Sequence, residues 1–172
     1  MIAVITNSLY DDYMSTAAGV LCLDFIHLPG NPEAFLESGP LDPRTHVEIR
    51  RFRTALQRLL DAEARGIGAR ESDLAALNRI LSRAGGKRGL RPTVRGYGWG
   101  WLSDGSEDLS GLLWPVAWSA ARLLDSPDLA RLKACSCGRL FLDASRNRSR
   151  RWCDKAECGN RANVARFRSR QR

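Results

Sequence analysis

Residues 135–170 read CSCGRLFLDASRNRSRRWCDKAECGNRANVARFRSR. Four of the chain's five cysteines stand here: Cys135, Cys137, Cys153 and Cys158. The spacing is C-x-C, fifteen residues, then C-x4-C. Two close thiol pairs on either side of a hairpin-length stretch form a metal-site pattern. Each pair can be presented by one tight turn. Zinc takes four such ligands in a tetrahedron at about 2.3 Å. Four thiolates close the shell and leave no position for water, so one structural Zn2+ per chain is expected. Intracellular chains disfavour disulfides. A thioredoxin-type redox pair would read C-x-x-C at a helix start.

The stretch between the pairs has a local logic. Leu140-Phe141-Leu142 is strand-like, 145–149 is turn-like, and Arg151-Trp152 leads back to Cys153. After Cys158 the chain is helix-compatible, with Val164 and Phe167 three apart on one face, where Phe167 is expected to join the core. Knuckle, hairpin and a helix carrying the last ligand make a treble-clef-like zinc finger. About 40 residues hold too little core to fold alone, and a metal supplies what is missing. The fifth cysteine, Cys22, lies in the apolar run Val20–Leu23 and reads as a buried thiol.

The chain has 172 residues and a formal charge of +8. Residues 131–172 hold 13 Lys/Arg against 3 Asp/Glu, a net +10. The first 130 residues are near neutral, at −2. Such asymmetry points to a polyanion-binding module on a neutral domain. Arg146, Arg148, Arg150 and Arg151 crowd the hairpin, and Arg161, Arg166, Arg168 and Arg170 line the helix. The guanidinium fork suits phosphates and guanine edges, so these eight are the candidate DNA contacts.

The whole segment resembles the CGNR zinc finger, named for the tetrapeptide present as Cys158-Gly159-Asn160-Arg161. The likeness includes the first cysteine pair, the LFLD strand and Arg150-Arg151-Trp152-Cys153. Asn163 stands where that family often has a basic residue. The resemblance implies an N-terminal ABATE domain, an α/β domain of stress-induced transcription regulators. Leu21-Cys22-Leu23-Asp24-Phe25 is similar to its usual opening. Where an Asn-Thr pair commonly follows, this chain has Ile26-His27-Leu28. The implied function is a bacterial-type DNA-binding regulator with a sensor domain.

Read from its own residues, the N-terminal part is mainly helical with a β-hairpin, an α+β fold overall. Ile49, Phe52, Leu56, Leu59 and Leu60 recur at helical spacing over 44–65, with Thr45 and Glu48 as a capping box. A second helix over 72–84 carries Leu74, Leu77, Ile80 and Leu81, is capped by Ser72 and stops at Gly85-Gly86. Residues 91–103 alternate aromatic and Gly, a hairpin pattern. Residues 107–124 read as a helix that Pro115 kinks or starts. Ser126 and Pro127 open a short helix near 127–133. Segment 28–43 reads as a loop.

Two domains follow, 1–126 and 127–172. Expected partners are duplex DNA, a small-molecule effector and a second copy of the chain. Asp24, His27, Trp99, Trp101 and Trp118 are the candidate ligand-pocket residues. The rival readings are core aromatics for the tryptophans, a capping or core hydrogen-bonding role for Asp24 and His27, an RNA-binding or ribosome-associated zinc protein, and a small-molecule carrier with a docking finger. No Gly-rich phosphate loop, nucleophile elbow or H-E-x-x-H occurs, so no catalytic residue is expected. No apolar run approaches a bilayer span of about 20 residues. The N-terminus lacks a basic leader region, so a cytoplasmic, nucleoid-associated protein is expected.

Overall fold

The computed structural model describes residues 20–27, 43–94, 96–102 and 113–171. Helices α1 (Leu21–His27), α2 (Pro43–Arg65), α3 (Glu71–Ala84) and α4 (Leu113–Leu124) build the N-terminal part. An antiparallel ribbon, β1 (Arg88–Thr93) and β2 (Gly96–Trp101), stands between α3 and α4. A 3-10 turn (Pro127–Arg131) leads to a second antiparallel pair, β3 (Leu132–Ala134) and β4 (Leu140–Leu142). A π-turn (Lys155–Gly159) then opens α5 (Asn160–Ser169). No described helix is long and apolar enough to cross a membrane.

The amphipathic spacing of α2 does what it predicts. Ile49, Phe52, Leu56, Leu59 and Leu60 are all buried. They share one apolar cluster with Cys22 and Phe25 of α1, Leu77 and Ile80 of α3, and Val116 and Ala120 of α4. Leu132 and Leu140 of the second β-pair belong to the same cluster. The finger's hairpin is therefore packed on the helices, chiefly on α2. Cys22 is fully buried and burial pushes its thiol up to about 12, so it stays neutral.

Helix starts differ from their expected places. α2 begins at Pro43, whose fixed φ suits a first helical position, so Thr45 lies inside the first turn and is not the cap. Glu48 instead meets Arg83 of α3 at 2.5 Å. α3 is entered from Arg70, whose carbonyl takes the N–H groups of Asp73 and Leu74; Ser72 is not its cap. Asp73, not Leu74, joins Leu77, Ile80 and Ala84 on the buried face. Arg58 of α2 makes this possible by gripping the Asp73 carboxylate at 2.5–3.1 Å. The Gly85-Gly86 stop is as expected, with Gly86 at φ +74.

The ribbon starts three residues earlier than its aromatic pattern suggests. Its register sets Arg88 opposite Trp101, Leu90 opposite Trp99 and Pro92 opposite Tyr97. Those six side chains share one face, and Gly89, Gly98 and Gly100 lie on the other. Leu102 crosses that glycine face, and a Cβ on Gly89 would meet it at 2.8 Å. Ser126 caps the 3-10 turn as expected, accepting from the Asp128 N–H at 3.3 Å. Pro115 sits near the start of α4 as described; the expected helical residues 107–112 and the loop residues 28–42 lie outside the described residues.

Candidate metal centre and its basic surround

The first thiol pair sits on the turn between β3 and β4. The Cys135 N–H donates to the Arg139 carbonyl at 2.9 Å, and the Gly138 N–H returns to the Cys135 carbonyl at 2.9 Å. Gly138 takes φ +87, a conformation that favours glycine. Of the second pair, Cys153 precedes the π-turn and Cys158 lies within it. Asp154 caps it, its carboxylate accepting from the Glu157 N–H at 2.8 Å and its carbonyl from the Cys158 N–H at 3.1 Å. Trp152 lies against Gly159, where a Cβ would meet the indole at 3.3 Å. A side chain after the last cysteine would crowd that ring.

All four sulfurs lie within 4.8 Å of one another. Cys137 to Cys153 is 3.5 Å and Cys153 to Cys158 is 3.6 Å. A tetrahedron with 2.3 Å Zn–S bonds has edges of about 3.8 Å, so the residues present fit one zinc ion. Without a cation the thiols oppose each other's ionisation: burial and the neighbouring sulfurs push Cys153 up. Cys135 goes the other way, to about 6, because backbone N–H groups and the neighbouring thiols outweigh its burial. A divalent cation lets all four ionise together. Phe141, Trp152, Cys135, Cys153 and Cys158 form the finger's small apolar cluster, and Cys137 is exposed.

The loop between the pairs is organised by a carboxylate that composition alone did not single out. Asp143 is fully buried. It accepts from Lys133 Nζ at 2.6 Å, the Ser145 hydroxyl at 2.5 Å, and the N–H groups of Ser145 and Arg150 at 2.9 Å. Burial alone would raise its pKa, yet these donors hold it well below the usual carboxylate range. Lys133 also donates to the carbonyls of Arg148 and Arg150. Arg148 is held at φ +51 in this loop.

The eight candidate DNA-contacting arginines are all exposed. Arg150 nevertheless turns inward: it donates to the carbonyls of Trp152 and Cys153 and lies over the Phe141 ring at 5.2 Å. Arg161, Arg166, Arg168 and Arg170 follow the last ligand on or just beyond α5, which buries no residue. Val164 and Phe167, the latter expected in the core, are 50% and 63% exposed. Among the described residues, α5 contributes to neither apolar cluster.

The five ligand-pocket candidates face different neighbours. His27 ends α1 and reaches β4: its Nε2 accepts from the Leu140 N–H at 2.9 Å. Burial lowers its pKa, in keeping with a neutral ring. Asp24 lies one turn before it, half-buried. Trp99, Trp101 and Trp118 instead surround the Arg88 guanidinium. Beside the thiols a cleft of about 510 Å³ opens between α1, α2 and the finger, walled by His27, Arg53, Arg139 and Arg161. Arg53 donates to the Ile26 carbonyl at 3.0 and 3.2 Å and so ties α2 to the end of α1.

No curated protein matches the chain. The CGNR zinc finger family matches residues 131–171, covering the four thiols and the basic helix. The family described as "Putative stress-induced transcription regulator", ABATE, matches residues 19–127. That is more than half of the chain, joined to a finger whose four thiols suit one zinc ion: the chain belongs to the ABATE family and carries a C-terminal CGNR zinc finger.

Proposed function

We propose that the chain is a DNA-binding transcriptional regulator, with residues 127–172 as the DNA-contacting finger and 1–126 as the effector-sensing or dimerising part. The carrying observation is α5: it follows the last thiol, buries nothing and holds four arginines on or at the end of it. Arg146, Arg148 and Arg151 extend that exposed basic surface along the loop. Both matched families are regulatory or metal-binding in description, which supports the reading. A single small module buries only about 600–1,000 Å² on DNA, so a homodimer on a two-part site would gain specificity. Such a protein acts at the nucleoid in the cytoplasm.

Fluorescence anisotropy with the zinc-loaded chain tests this. Binding of genomic duplex fragments should weaken with salt at a log–log slope of about −4 to −6, or −0.9 per phosphate met. Removing Arg166 and Arg170 together should reduce that slope by about 2. The 63% exposure of Phe167 favours a second reading, since RNA is bound by stacking on exposed aromatics. A more than tenfold preference for structured RNA at matched salt would establish that alternative. Light scattering with and without DNA decides the dimer.

A further inference from the structure

Arg88 opens β1 on the aromatic face of the ribbon. Its guanidinium lies 5.0 Å from the Trp118 ring, 5.6 Å from Trp101 and 5.9 Å from Trp99. Among the described residues no carboxylate pairs with it. Its Nε–H is buried and has no acceptor among those residues. Trp114 of α4, nine-tenths buried, packs on Trp101 at 5.9 Å, and its indole N–H also has no acceptor. A guanidinium keeps its proton at any physiological pH. Ring faces attract its charge but satisfy none of its N–H groups. Among the described residues, two donors without an acceptor and one cation without a carboxylate therefore flank the same indole.

We infer that Arg88 and its tryptophans form a receptor for a small carboxylic acid with a flat, apolar body. The planar fork matches a carboxylate, and the indoles match the body. A phosphate fits less well, because its further oxygens and second charge would call for more cations than Arg88 alone. The inference rests on reading residues 1–126 as effector-sensing, and it names the effector's class. Trp118 lies on α4, which runs through the 3-10 turn into β3 and the metal centre. The ligand would thus sit on the element that leads to the finger.

Titration calorimetry on the full zinc-loaded chain tests it, with benzoate, phenylacetate and indole-3-acetate as probes and benzyl alcohol as the uncharged control. At least one acid should bind saturably, and the alcohol at least about tenfold more weakly. Arg88→Met should lose at least about tenfold in affinity with zinc content unchanged. Should that variant not fold, Trp118→Ala at the rim should weaken binding about tenfold. No saturation by any acid up to about 10 mM overturns the inference, as does wild-type affinity in either variant. DNA anisotropy is read separately. Acid binding with unchanged DNA affinity supports the receptor and overturns the sensing role.

Discussion

Arg150 and Arg166 are both exposed arginines of the basic quarter, yet only the Arg150 side chain is engaged within the finger. Arg150 holds the carbonyls on either side of the third thiol and covers Phe141. It is a positioning residue for the metal. Arg150→Ala should lower zinc affinity about tenfold, measured by competition with a chromophoric chelator. Arg150→Lys should not restore it, because a point charge cannot serve two carbonyls and a ring at once. Arg166→Ala should leave zinc affinity unchanged and weaken DNA binding. Equal loss of zinc in both variants would refute this division. His27 follows the same logic on the other side of the junction. Leu140 points its N–H away from the β3 strand, and His27 accepts it. His27→Leu would leave that donor orphaned, at a cost of about 1–3 kcal/mol.

Helices α2 and α3 are joined by apolar packing and by two ion pairs, the surface pair Glu48–Arg83 and the clamp of Arg58 on the buried Asp73. Asp73 is 2% exposed and would be a liability without the Arg58 fork. Asp73→Asn should cost about 1–3 kcal/mol, read from denaturant midpoints. The hydrogen bonds from Arg58, against the opposing effect of burial, hold the Asp73 pKa below its ordinary value. A carboxylate depressed by folding stabilises fully above its unfolded pKa, about 3.9. That stabilisation fades as pH falls from there through the folded value. The gap between wild type and Asp73→Asn should therefore be constant from neutrality to about pH 5 and close below about pH 4. A gap unchanged at low pH would show that the charge contributes nothing. Elements of this kind are only partly legible in sequence. The apolar period of α2 is read directly, because burial imposes a 3.6-residue repeat. The four thiols are likewise legible, because close pairs on two turns leave a spacing signature. Asp143 and His27 leave none. Two of the donors to Asp143 and the donor to His27 are backbone N–H groups, which every residue but proline has, and in the case of His27 it lies 113 positions away. Caps fail for a related reason: Pro43 and the Asp73–Arg58 clamp override the local preferences of Thr45 and Ser72.

At the scale of the whole molecule, the sharp charge boundary does not coincide with a boundary in packing. Residues 131–172 carry +10, and four thiolates with one Zn2+ bring that region to about +8. Its β-pair, β3 with β4, nevertheless lies in the core of a nearly neutral helical part, through Leu132 and Leu140. Zinc removal should therefore be felt beyond the finger. Structural zinc binding is worth on the order of 10–16 kcal/mol in finger peptides, so a chelator should unfold the turns around Cys135–Cys158 and α5. With the knuckle released, β4 loses the turn that sets its register against β3. Leu140 and its bond to His27 then lose their fixed place against α2 and α1. Hydrogen exchange on the chelated chain should show complete loss of protection over 151–170. It should also show partial loss at the end of α1 and along the face of α2 that carries Leu56 and Leu59. The centre of α3 packs on α2 and α4 rather than on the finger, and it should be the least affected. Cys158→Ser should reproduce the pattern without chelator. Protection lost only within 151–170, with α1 and α2 unchanged, would mean that the two parts share a surface without sharing stability.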